Sequence, residues 1–204
     1  IIEYEGNFTG FLSDFVAYGT FRSKWGVLNT DLSFVPTKGD ELKINGRLKT
    51  VNFKLGDFLQ TSLLDNITFN GNISGLLDQI TNDFSASVSG KIDSIDVNNY
   101  HYRNVQLNGD FQNKRFDGNL VVDDPNLKFR FEGEFNLNKP MPDFNFRMNV
   151  EKANLIAMNL VDHFKRSDVA FELDANFTGS NIDNLAGTIH ISDCDGIGNG
   201  CTKL

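Results

Sequence analysis

Residues Asn126 to Asn138 read Asn-Leu-Lys-Phe-Arg-Phe-Glu-Gly-Glu-Phe-Asn-Leu-Asn. Leu127, Phe129, Phe131, Phe135 and Leu137 share one parity, while Lys128, Arg130, Glu132, Glu134 and Asn136 share the other. Successive side chains of a strand point to opposite faces, so this order predicts one long strand with an apolar side and a charged side. On a helix the same phenylalanines would scatter around the circumference. Gly133 sits on the apolar parity, two residues after Phe131.

The same alternation extends in both directions. Upstream it recurs over Tyr4 to Leu12, Phe15 to Phe21, Leu28 to Phe34, Leu42 to Leu48, Ile67 to Ile73, Phe84 to Ile92, Val105 to Phe111 and Phe116 to Val122. Downstream it resumes at Phe144 to Val150, Val169 to Phe177 and Leu185 to Ile191. About a dozen strands at this spacing predict an all-β chain, and the short turns favour an antiparallel meander. The period changes at two places. Leu55, Phe58, Leu59 and Leu63, and then Leu155, Met158, Leu160 and Val161 within Asn154 to Asp162, are spaced for two short helices. Leu76 to Ile80 reads as a connection, and Asp93-Ser94 as a break.

An apolar residue, any residue, then glycine recurs, as in Phe69-Asn70-Gly71, Leu107-Asn108-Gly109, Phe131-Glu132-Gly133 and Phe177-Thr178-Gly179. Glycine inside a strand costs packing and entropy, so its repetition needs a reason. Relief of crowding on the inner side of a curled sheet is one. The middle residue is usually polar or small, which suits an outer face in water.

The chain has 204 residues, of which 40% are hydrophobic and 23% charged, in the range of a folded domain. Its formal net charge of -8 leaves no basic patch for phosphates, so no nucleic-acid partner is expected. Its aromatic residues are 19 Phe against 4 Tyr and 1 Trp. Phenylalanine brings no polar tip that needs a partner, so the inner surface is dry and chemically undemanding. No stretch reaches the roughly 20 apolar residues of a membrane-spanning helix. No signal peptide opens the chain, which starts in mid-pattern and reads as part of something longer. Residues 4–192 read as a single β-groove segment and 193–204 as an irregular tail.

A sheet this greasy must be covered. It can fold on itself as a sandwich or barrel, with the phenylalanines as core. It can instead form an open trough that acyl chains fill. Strand periodicity does not separate the two, and an open sheet edge could also accept a client strand in the manner of a chaperone.

Three stretches join the glycine-punctuated alternation to a known group. They are Gly26 to Phe34 (Gly-Val-Leu-Asn-Thr-Asp-Leu-Ser-Phe), Phe53 to Leu59 (Phe-Lys-Leu-Gly-Asp-Phe-Leu) and Phe177 to Ile189 (Phe-Thr-Gly-Ser-Asn-Ile-Asp-Asn-Leu-Ala-Gly-Thr-Ile). In these the chain resembles the TamB (translocation and assembly module) proteins of the Bacteroidota, within the wider AsmA-like group, from Tyr4 to about Ser192. The resemblance implies a long curled antiparallel sheet, a β-taco or half-pipe groove, in the periplasm of the cell envelope. It implies an inner-membrane anchor outside this chain and an outer-membrane assembly protein of the Omp85 type as partner. Phospholipid acyl chains would run along the groove. Phe8, Phe69, Phe111, Phe116, Phe129, Phe131, Phe135, Phe146, Phe171, Phe177 and Ile189 would line it. The tail from Asp193 to Cys201 departs from that pattern.

No enzyme is expected. His101, His163 and His190 pair with no Ser or Cys in a nucleophile motif. The carboxylates fall on outer faces or in turns, away from the perturbed surroundings that acid–base catalysis needs. Cys194 and Cys201 lie in a glycine-rich loop, as a disulfide or as two free thiols. With His190 they fall short of a zinc set. Asp193, Asp195 and Asn199 echo a calcium loop but lack its terminal Glu. No cofactor is expected.

Overall fold

The structure, a computed structural model, describes residues 3–11, 14–37, 39–59, 62, 64–81, 83–161, 168–180, 184–193 and 202–203. The chain divides into two compact units, Ile1–Asn113 and Lys114–Leu204. Among the described residues both are built of β-strands, with one short helix in the first, and the strand pairings are antiparallel.

The first unit holds β1 (Glu3–Phe11), β2 (Asp14–Ser23), β3 (Gly26–Pro36), β4 (Glu41–Val51), β5 (Phe53–Lys54), α1 (Leu55–Leu59), β6 (Leu64–Asp78), β7 (Phe84–Val97) and β8 (Tyr100–Gln112). Its strands lie side by side in chain order, with the short β5 pairing β6 beyond the end of β4. The second unit holds β9 (Arg115–Asp124), β10 (Leu127–Asn136), β11 (Asp143–Asn154), β12 (Asp168–Thr178), β13 (Ala186–Asp193) and β14 (Thr202–Lys203), again in chain order. The first and last strands of each unit do not pair with each other, so neither unit closes into a barrel.

Local chemistry explains the turns. Asn98 and Asn99 both have positive φ (50° and 61°), the requirement of the two-residue hairpin turn whose twist matches its strands. They join β7 to β8 through the pair Val97↔Tyr100. The expected break at Asp93-Ser94 is therefore only an irregularity in a continuing hairpin: Ile92 faces Val105, Ser94 faces Arg103, and Asn104 takes φ 52°. Leu76 and Leu77 likewise belong to β6, whose ladder runs to Asp78 before the turn.

One of the two expected helices forms. Leu55–Leu59 is helical, and Leu63 lies outside the described residues. Asn154 to Asp162 is not a helix. The strand β11 takes Asn154, and a turn follows whose hydrogen bonds change step each time: Met158 to Asn154, Asn159 to Ile156, Leu160 to Leu155. A helix needs one repeated i→i−4 step, and Asn159 at φ 57° ends any such run. Apolar spacing of three and four was satisfied here by an irregular turn that still buries Met158.

Thr50 shows how the ladder is kept where pairing passes from β4 to β5. The last direct pair of β4 with β6 is Lys49↔Asn70. Beyond it the Thr50 hydroxyl accepts from the Phe69 N–H at 3.0 Å and donates to the Ile67 carbonyl at 3.2 Å. A buried side chain thus satisfies two backbone groups at the irregularity between Thr68 and Phe69.

Candidate functional site

The register of the second unit gathers the apolar parity onto one face. Phe116 pairs Phe135, Leu120 pairs Phe131 and Val122 pairs Phe129 across β9–β10. Phe131 also pairs Met148, Gly133 pairs Phe146 and Phe135 pairs Phe144 across β10–β11. Phe144 continues to Phe177, Phe146 to Ala175 and Val150 to Phe171 on β12, and Ala175 to Ile189 on β13. Directly opposed residues share a face, so these side chains form a continuous apolar row across five strands.

The rings touch along this row. Phe116 lies 5.3 Å from Phe135 and 6.2 Å from Phe131, and Phe131 lies 5.4 Å from Phe146, centroid to centroid. Phe144 stacks on Phe177 at 4.7 Å. These are the separations at which aromatic pairs attract.

Gly133 explains why glycine interrupts the row. Its φ is +146°, and a Cβ there would stand 2.4 Å from both the Asn145 carbonyl oxygen and the Phe146 Cα. In the first unit Gly71 and Gly90 face each other and the Phe69 ring lies against both, within 2.5 Å and 2.8 Å of the positions their Cβ atoms would take. Glycine in the apolar–any–glycine unit therefore also makes a seat for a phenylalanine, a contact that curvature alone did not anticipate.

Burial along the face is uneven. Phe116 is 7% exposed and Phe69 is similarly buried, but Phe111, Phe129, Phe131, Phe135, Phe146, Phe171 and Phe177 are only half-buried. Ile189 is 47% exposed. Phe8 stands in β1 opposite Ala17, and its side chain lies outside the described residues. The structure thus joins Phe116, Phe131, Phe135 and Phe146 by ring contact, with Phe129, Phe171, Phe177 and Ile189 on the same face. Phe69 and Phe111 belong to the first unit. Phe144, absent from the expected lining, belongs to the row, and its alternation with Phe146 was the available signal.

The opposite face carries charges in register. Arg115 donates to Glu134 at 2.7 Å, Arg147 to Asp174 at 2.7 Å and Asn149 to Glu172 at 2.7 Å, while Arg130 stands 3.3 Å from Glu151. The hydrogen bond that Arg115 donates to Glu134 holds its guanidinium above the usual range, as the bond to Asp174 does for Arg147. Both arginines are solvated, so these pairs serve register and solubility more than stability. A shallow depression of about 350 Å³ on this side is lined by Asn119, Arg130, Arg147, Asn149, Glu151 and Glu172, with Val121, Phe131 and Glu132. Arg130 and Arg147 stand among Glu132, Glu151 and Glu172 there, so it offers no single-sign site.

Two other clusters escaped sequence reasoning. At the strand-end rim of the first unit, Trp25 contacts Phe58 edge-to-face at 5.5 Å, and Phe58 contacts Phe53 at 5.7 Å. In the second unit the turn after β11 buries Met158 to 2% exposure. Among the described residues no group of three or more His, Cys, Asp or Glu is placed to hold a metal ion, and no helix is long and apolar enough to cross a membrane. His101 lies 2.5 Å from Asp96 on the β7–β8 hairpin. Cys194 and Cys201 lie outside the described residues, as do the side chains of Asp193, Asp195 and Asn199.

Compared with known proteins, the chain matches no family model, no curated protein and no solved structure.

Proposed function

We propose that this chain is a non-enzymatic segment of a lipid conduit, a curled β-groove whose aromatic face holds phospholipid acyl chains. The observation that carries the reading is the half-burial of the row: Phe129, Phe131, Phe135, Phe146, Phe171 and Phe177 touch one another or share one face, yet remain partly open, and Ile189 is 47% exposed. In a sealed core such rings would be dry. The charged ladder behind them keeps the other face in water.

Hydrophobic burial and dispersion have no direction, so a wall of Phe, Leu and Ile holds an acyl chain without fixing its position along the row. The wall supports passive sliding, and any direction is imposed at the ends. The resemblance to the TamB group supports a periplasmic location, an anchor in the inner membrane outside this chain, and an outer-membrane assembly partner of the Omp85 type.

The test is photo-crosslinking at Phe131 and Phe171 with native mass spectrometry, and Glu132 as the control on the charged face. Lipid adducts at both phenylalanines above the Glu132 level are expected. Labelling of neither above that level would sink the proposal. The second reading, a closed scaffold, draws on the burial of Phe69 and Phe116. It requires that the native chain take up little hydrophobic dye, whereas the groove requires that it take up much.

A further inference from the structure

We infer that the strand-end rim of the first unit carrying Trp25 and Phe58 docks on an anionic phospholipid surface. This goes beyond the groove reading and uses different residues.

Trp25 stands in the turn between β2 and β3, and Phe58 in α1. Their rings meet at 84°, and Phe53 supports Phe58 from the buried side. The Lys54 N–H bonds the Trp25 carbonyl at 2.7 Å, tying the turn to the base of the helix. The cluster is therefore held in place, yet Phe58 is 52% exposed, and Val51 at the end of β4 is 47% exposed. Large apolar side chains held outward at a fixed place, over a buried base, mark a docking surface rather than an unfinished core.

The charges say what docks. The Lys24 Nζ lies 4.8 Å from the Trp25 ring centre, and Lys54 is exposed beside Phe53. Neither lysine makes an ion pair among the described residues, a condition they share with Lys43, Arg47, Lys49, Lys114 and Lys152. In a chain of net charge -8, two exposed lysines stand at this rim, Lys24 over the half-buried Trp25 ring and Lys54 just before α1, which carries the exposed Phe58 and one acidic side chain, Asp57. Tryptophan at headgroup depth, phenylalanine reaching the acyl boundary and lysines on phosphate are the elements of interfacial binding. A protein partner would need the flat, hydrogen-bonded rim of a specific interface. A lipid surface needs only these three elements.

Trp25 is the chain's single tryptophan, so its emission reports this rim directly. The full chain is titrated with phosphatidylcholine vesicles with and without phosphatidylglycerol. The expected result is a blue shift and co-sedimentation with the anionic vesicles only. Lys24→Glu with Lys54→Glu should weaken binding at least roughly tenfold, and Phe58→Ser should abolish the blue shift, while both keep the far-ultraviolet circular dichroism of the parent. No shift with anionic vesicles, an equal shift with both kinds, or unchanged binding by the lysine variant overturns the inference. Lipid crosslinking at Phe131 in the lysine variant separates the two proposals: retained adducts with lost vesicle binding leave the groove standing and locate docking at the rim.

Discussion

Each unit has a segment inserted between neighbouring long strands, and the two insertions are built from opposite materials. In the first unit the insertion between β4 and β6 is β5 and α1, with Phe53 buried and Phe58 left 52% exposed. In the second, the turn between β11 and β12 places Met158 at 2% exposure beside a strand end whose Val150 and Ala153 are also buried. Methionine fills irregular space without a partner for any polar atom, so it suits a plug. Phe58 keeps half of its ring in water beside the half-buried Trp25, which suits an element that meets something else. Similar placement in the strand plan therefore does not imply a similar role.

The largest expected effect tests that contrast directly. Met158→Ala should cost about 3 kcal/mol in urea unfolding, because it leaves a cavity in a dry site. Phe58→Ala should cost less than about 1 kcal/mol, since its ring is already half in water. Equal losses would mean that both insertions are plugs, and the rim proposal would lose its ground.

Next comes the seat at Gly133. Gly133→Ala should cost about 2 kcal/mol, from a φ that L residues avoid and a Cβ driven onto the neighbouring strand. Gly39→Ala is the sharper partner: φ is +110° there too, but nothing lies within 4 Å of the added Cβ. Its loss should be about 1 kcal/mol, so the difference measures the close approach alone.

Thr50→Val at the foot of the first insertion should cost about 1–2 kcal/mol, because the Phe69 N–H and the Ile67 carbonyl lose the hydroxyl that satisfies them. Hydrogen exchange should rise at Phe69 first. A uniform rise across β6 would show that the hydroxyl supports the whole strand instead.

The smallest effect lies at the other end of β6. The Thr81 N–H, and then that of Ile80, hold the Asp78 carboxylate below the ordinary range. A carboxyl whose folded-state pKa is depressed contributes fully above its unfolded value of about 3.9. That contribution is lost as pH falls through the lower folded-state value. In an acid titration followed by amide chemical shifts, Ile80 and Thr81 should move below that point. In Asp78→Asn they should not move, and the strand-end rim at Trp25 should be indifferent throughout.

Much of the strand plan was legible because alternation is a local property. Phe129, Phe131 and Phe135 needed only their parity to be placed on one face, and the structure pairs them with Val122, Leu120, Phe116 and Phe144 on that face. The Asn98-Asn99 turn was also present in the letters, as two residues tolerant of positive φ, yet it went unread. The stretch around Met158 misled, because three-and-four spacing records burial on one side and does not require a helix. Trp25, Phe53 and Phe58 could not have been grouped from sequence: the first stands on one side of β3 and β4 in the chain and the others beyond them.

The order of letters alone determined that this is a β chain with one oily side and one charged side, because a strand sorts its side chains by parity without consulting the rest of the molecule. Which rings meet, which glycines seat them, how far each face is covered and where aromatic side chains are held outward were decided only by pairing and packing. Those depend on register across strands and on how the inserted segments pack, and both are set by contacts distant in the chain.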